Sequence, residues 1–218
     1  MGVNSFFWTN SHDSFIPEEG EIAFVRTLMR KILGKFSSEL AKRNMQITYF
    51  TLISAPGVRL KDIIKHGDPD TTILHIHNWF NFLNYSTMKK ILDRGYKIVF
   101  TLHDQRMFTG GCHYSLTCKG FETNCKSCPL LPFYLKRLPM GNLKHLFSLV
   151  IRFNNQITFL APSLWMLQMA KNSKALQMAD VYFIPNFHEK FLDKKSLDLN
   201  KNISNKKILT IGIASLDK

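Results

Sequence analysis

The chain has 218 residues, 45% of them hydrophobic and 12% aromatic, including 18 Phe; this supports a packed core and excludes a wholly disordered polypeptide. The length suits one domain, or one domain with pieces of another. Lys and Arg number 29 against 16 Asp and Glu, a formal net charge of +13, which favours anionic company such as nucleic acid, acidic lipid headgroups or phosphorylated small molecules.

The N-terminus, MGVNSFFWTN, has no basic stretch and too short an apolar one for a secretory signal. Phe6 stands where a myristoylation pattern requires Ser or Thr. No apolar run approaches the ~18 residues of a spanning helix. These features predict a cytoplasmic chain. Residues 20–44 place Phe24, Leu28, Ile32, Phe36 and Leu40 on one helical face. Residues 47–53 (ITYFTLI) read as a strand ended by Ala55-Pro56-Gly57, and 58–66 as a short helix before the turn Gly67-Asp68-Pro69-Asp70.

From there the rhythm is strand and helix in alternation. Strands are predicted at 72–76 (TILHI), 97–102 (KIVFTL), 156–161 (QITFLA) and 180–184 (DVYFI). Helices are predicted at 86–92, closed by Gly95, at 143–153, and at 164–175 after Pro162-Ser163. Short strands apolar on both faces, alternating with helices, predict an α/β doubly wound parallel sheet. Residues 189–206 are Lys-, Asn- and Asp-rich and read as a linker, and 207–214 (KILTIGIA) as one more buried strand. The expected organisation is a helical segment over 1–46, a Rossmann-like domain over 47–188, a linker, and in 207–218 the first strand of a second, missing domain.

The basic residues are dispersed. Lys89-Lys90, Lys194-Lys195 and Lys206-Lys207 are pairs, not the longer blocks of a nucleic-acid tail. A Lys-rich solvated surface accounts for them, and nucleic acid is disfavoured.

In an open parallel sheet, ligands bind beyond the carboxyl ends of the strands. Two such ends here carry polar groups: His75-Ile76-His77-Asn78-Trp79 and Thr101-Leu102-His103-Asp104. Alternation puts His75 and His77 on one face. Two imidazoles without a third ligand favour a structural His75 and a cleft-lining His77 over a metal site. His103 and Asp104 are candidates for acid/base chemistry or for hydrogen bonding to a substrate hydroxyl.

All four cysteines lie in the pattern Cys112-x5-Cys118-x6-Cys125-x2-Cys128, within a turn-rich loop over 110–130. Three readings stand: a structural zinc held by four thiolates, with His113 able to replace one sulfur; two disulfides, which need an oxidising compartment; and free thiols. A thioredoxin-like role for Cys125-Lys126-Ser127-Cys128 is disfavoured, because no strand leads directly into it.

Taken together, Ile73-Leu74-His75-Ile76-His77-Asn78-Trp79, Val99-Phe100-Thr101-Leu102-His103-Asp104 and Phe108-Thr109-Gly110-Gly111-Cys112-His113-Tyr114 resemble the acceptor-side half of GT-B glycosyltransferases. These are the family 4 retaining enzymes of bacterial polysaccharide synthesis. Cys125-Lys126-Ser127-Cys128-Pro129, Ala161-Pro162-Ser163-Leu164-Trp165 and Ile184-Pro185-Asn186 follow in the same order, so the likeness spans about residues 47–214. It implies sugar transfer, with retention, from a nucleotide-sugar to a glycan or lipid-linked acceptor. His103 would contact the transferred sugar, with Asp104 beside it. His77, Asn78, Trp79, Gly110, Gly111, Ser163 and Asn186 would line the acceptor cleft. A basic face would suit the inner membrane surface. The chain departs from the family in lacking the opening Gly-rich loop and the domain that grips the nucleotide. The expectation is therefore a half that is inactive alone and needs a complementing C-terminal half to hold the donor. The alternative is a zinc-stabilised basic binding or scaffold module without catalysis.

Overall fold

The computed structural model describes residues 60–65, 67–77, 79 and 83–186, and the backbone of 5–8 and 207–211. The helix expected over 20–44, the strand over 47–53, Asn78 and the linker over 189–206 lie outside the described residues. The core of the molecule is a parallel sheet. Its strands are β1 (Ser5–Trp8), β2 (Thr72–Ile76), β3 (Lys97–Thr101), β4 (Ile157–Ala161), β5 (Asp180–Phe183) and β6 (Lys207–Ile211), in the spatial order β1-β6-β2-β3-β4-β5. All of the pairings are parallel. The α/β, Rossmann-like architecture expected from the alternating pattern is thus present.

Burial alternates along the central strands, with Leu74, Ile76, Ile98, Phe100, Ile157, Phe159 and Ala161 inside. Phe100 and Phe159, opposite in register, stack with ring centroids 5.5 Å apart. Helices α1 (Leu60–Ile64), α2 (Tyr85–Asp93), α3 (Leu138–Arg152) and α4 (Leu164–Asn172) supply the covering layers. The α2 helix buries Met88, Ile91 and Leu92. Its start is capped by Asn84, whose side chain accepts from the Thr87 N–H at 2.8 Å. Its end turns at Gly95, with φ +90° and an N–H donated to the Leu92 carbonyl. Tyr96 follows, buried, and donates its hydroxyl to the Gly67 carbonyl at 2.7 Å.

Two expectations change. The N-terminal segment was expected to be helical, yet Ser5–Trp8 is a strand. The strand at the far end forms, but it does not open a second sheet. It lies inside this one, pairing with β1 on one edge and with β2 on the other, Ile73 beside Ile208 and Ile76 beside Ile211. A five-residue apolar strand satisfies the ladder groups that β2 would otherwise leave unpaired.

Candidate functional site

The histidines gather at the carboxyl ends of β2 and β3. The pairing His75↔Val99 and Ile76↔Phe100 sets the register, so residues that share a face on β2 meet those that share a face on β3. His75 Nε2 lies 2.8 Å from Thr101 Oγ1. His77 Nδ1 lies 2.9 Å from His103 Nε2. The three rings form a run, with centroids 4.3 Å apart between His75 and His77 and 5.2 Å between His77 and His103. One ring nitrogen of the His77–His103 pair donates and the other accepts, so the contact requires at least one neutral imidazole.

Electrostatics favours neutral rings throughout. Burial, then the neighbouring His77 and His103, pushes the His75 pKa down to about 4. Burial and His103 lower that of His77. Burial also lowers that of His103, with Asp104 pulling the other way. Neutral imidazoles carry both a donor and an acceptor, which makes the cluster a hydrogen-bonding surface instead of a point charge.

A small recess beside these rings is lined by His77, Trp79, Thr101, His103, Asp104 and Met107. Trp79 is 6% exposed, and its indole N–H has no hydrogen-bond partner. A buried donor left unmade is costly, and the same residue helps to line the recess.

Asp104 is committed elsewhere. One carboxylate oxygen accepts from the Arg106 N–H at 2.9 Å, capping the 3-10 turn Gln105–Met107. The other accepts from the Arg106 guanidinium, Nε at 2.7 Å and Nη2 as well. Asp104 therefore positions the turn after His103, with its carboxylate engaged by Arg106. His113 faces the same ion pair: burial and then Arg106 hold its pKa down to about 4.

The remaining candidates have structural work. Gly110 packs on the start of α3, where an added Cβ would lie 2.4 Å from the Pro139 carbonyl oxygen; its own carbonyl accepts from Asn142 Nδ2 at 3.0 Å. Gly111, at φ 129°, donates its N–H to Thr109 Oγ1. Ser163 caps α4 through the Met166 N–H at 3.1 Å. Asn186 is exposed at the end of the described segment after β5. Thr101, named from the sequence only as part of the polar strand end, meets His75 across the two strands.

Cys112, Cys118, Cys125 and Cys128 are free of disulfides. The closeness of Cys112 and Cys128 raises the pKa of Cys112 and lowers that of Cys128. Among the described residues, no group of three or more His, Cys, Asp or Glu stands ready to hold a metal ion as placed. Likewise among the described residues, no helix is long and apolar enough to cross a membrane. No protein-family model, curated protein or solved structure matches the chain.

Proposed function

We propose that this chain forms the acceptor-side half of a retaining GT-B glycosyltransferase of family 4, acting on a nucleotide-sugar and a polysaccharide or lipid-linked acceptor. The observation that carries this reading is the His77–His103 contact of 2.9 Å at the carboxyl edge of a parallel sheet, beside a recess that Trp79 helps to line. Sugar hydroxyls both donate and accept, and a neutral imidazole pair offers the complementary set. In this reading His103, exposed beside the recess, meets the transferred sugar, and His77 and Trp79, which also line it, meet the acceptor. The developing charge of a nucleoside diphosphate leaving group needs fixed positive groups and dipoles; in this reading a complementing C-terminal half brings them. The net charge of +13 suits an acceptor held at an anionic membrane face.

The test is binding before turnover. Imidazole NMR signals of the chain are followed while nucleotide-sugars and short oligosaccharides are added. Transfer is then measured by mass spectrometry after mixing with a family 4 C-terminal half. Perturbation of the His77 and His103 signals, and loss of transfer in His103→Ala, are the expected results. A panel that leaves both signals unmoved and gives no transfer sinks the proposal. Salt-sensitive nucleic-acid binding without glycan binding would favour the basic-module alternative.

A further inference from the structure

Between β3 and α3 the chain runs through residues 102–137 with only single 3-10 turns, at Gln105–Met107, Gly120–Glu122 and Phe133–Leu135. A connection of that length without regular structure is uncommon in a compact domain, because ordering it costs chain entropy that few contacts return. The small apolar cluster beneath it consists of Cys112, Cys128, Leu130 and Leu131, with Leu135 and Leu138 against it. Two of its six members are thus cysteines.

The four thiols lie in one loop, with Cys112 close enough to Cys128, Cys125 and Cys118 to feel the charge of each. Cys112 and Cys128 share the small apolar cluster. Cys118 and Cys125 flank Gly120: a Cβ built there would lie 3.4 Å from one sulfur and 3.8 Å from the other. The Gly120 N–H donates to Cys118 Sγ at 3.3 Å, which directs a backbone dipole at that sulfur. Cys125 is also held at φ 53°, a left-handed conformation that a non-glycine residue adopts at a cost. His113 faces Arg106 and Asp104, which leaves the four sulfurs as the donor set.

We propose that Cys112, Cys118, Cys125 and Cys128 bind one zinc ion as a closed four-thiolate structural site. The ion replaces the four thiol protons, which pass to solvent, and draws the four sulfurs together to Zn–S distances of about 2.3 Å. Four sulfur ligands leave no open position, so the site holds the loop and performs no chemistry. The zinc–thiolate unit carries two net negative charges, and Lys136, whose ammonium lies near Cys128, helps to balance them. This inference stands on the cysteine loop alone and does not depend on the glycosyltransferase reading.

The full chain, purified without added metal and under reducing conditions, is assayed for metal per chain, for reactive thiols before and after chelation, and for intact mass. The expected result is one zinc per chain, four thiols that react only after chelation, and a mass without disulfides. Cobalt exchanged into the site should give the thiolate charge-transfer and d–d bands of a tetrahedral sulfur site. Cys118→Ser, at the half-buried position, should weaken zinc binding by more than about 100-fold. The cobalt spectrum and the thiol count on the unmutated chain decide the matter should that variant fail to fold. Four freely reactive thiols in a metal-free chain, a mass lowered by disulfide formation, or iron in place of zinc would each overturn the assignment.

Discussion

Lowering the pH tests the imidazole cluster most directly, with His75 as the reporter. Its pKa falls from 6.5 to about 4 in the folded chain, first through burial and then through His77 and His103. A histidine with a lowered folded pKa binds its proton more readily when unfolded. Its contribution is therefore fully present above the unfolded value of 6.5 and is lost as the pH drops towards about 4. The full gap corresponds to a ceiling of about 3 kcal/mol. The ring is only partly buried, so water screens much of this, and about 1 kcal/mol is expected to survive. His77 and His103, both lowered, act in the same direction. Urea unfolding of the chain and of His75→Gln, at about pH 7.5 and about pH 5, isolates the His75 share. Acid-sensitive features elsewhere contribute to both chains and cancel. The unmutated chain should lose more stability than the variant over this interval, by about 1 kcal/mol. An imidazole signal for His75 that titrates near its ordinary value, or an identical pH dependence in the two chains, would refute the reasoning.

Two substitutions probe the support around the cluster. Gly110→Ala drives a Cβ to 2.4 Å from the Pro139 carbonyl oxygen and 2.5 Å from its Cβ; the strain should cost about 2 kcal/mol, read as a Tm lower by about 4–8 °C. An unchanged Tm would show that the loop and α3 are not packed this tightly. Asp104→Ala removes both the cap and the carboxylate beside Arg106, whose side chain is 8% exposed; a loss of about 3 kcal/mol in urea unfolding is expected. Asp104→Asn, which keeps a capping oxygen, should lose less, and equal losses would contradict the capping role.

The sheet was legible because its strands are short apolar runs bounded by turn residues. Thr72–Ile76, Lys97–Thr101, Ile157–Ala161 and Asp180–Phe183 fall within a residue or so of expectation. The helix boundaries moved for reasons that pattern alone does not expose. The α3 helix begins at Leu138, five residues early, because Pro139 in a first helical turn sacrifices no hydrogen bond. The α4 helix ends at Asn172 because Ser173 turns its hydroxyl to the Phe108 carbonyl and takes the Ala175 N–H. That contact joins residues 65 apart in sequence, beyond any local signal. The place of β6 was hidden in the same way: its apolar composition marks a strand but not the strand it pairs with.

The histidine recess and the thiol loop share one support, which gives the long connection after β3 a physical purpose. Gln105 donates its backbone N–H to the His113 carbonyl at 2.9 Å, and its side-chain oxygen accepts from the Ser115 N–H. Those two bonds fold the segment leaving His103 back against the one that carries Cys112. Further along, Lys174 donates its N–H to the Phe121 carbonyl at 3.0 Å, so the loop is also pinned to the end of α4. Phe108 and Phe121 meet edge to face inside this turn. Phe108 has no exposed surface and Phe121 is 2% exposed. Displacing Cys112 must therefore move the backbone opposite Gln105, and with it the turn that Asp104 and Arg106 hold directly after His103. The loop is in this sense a wall of the recess, and its packing bears on the geometry of the imidazoles as well as on stability.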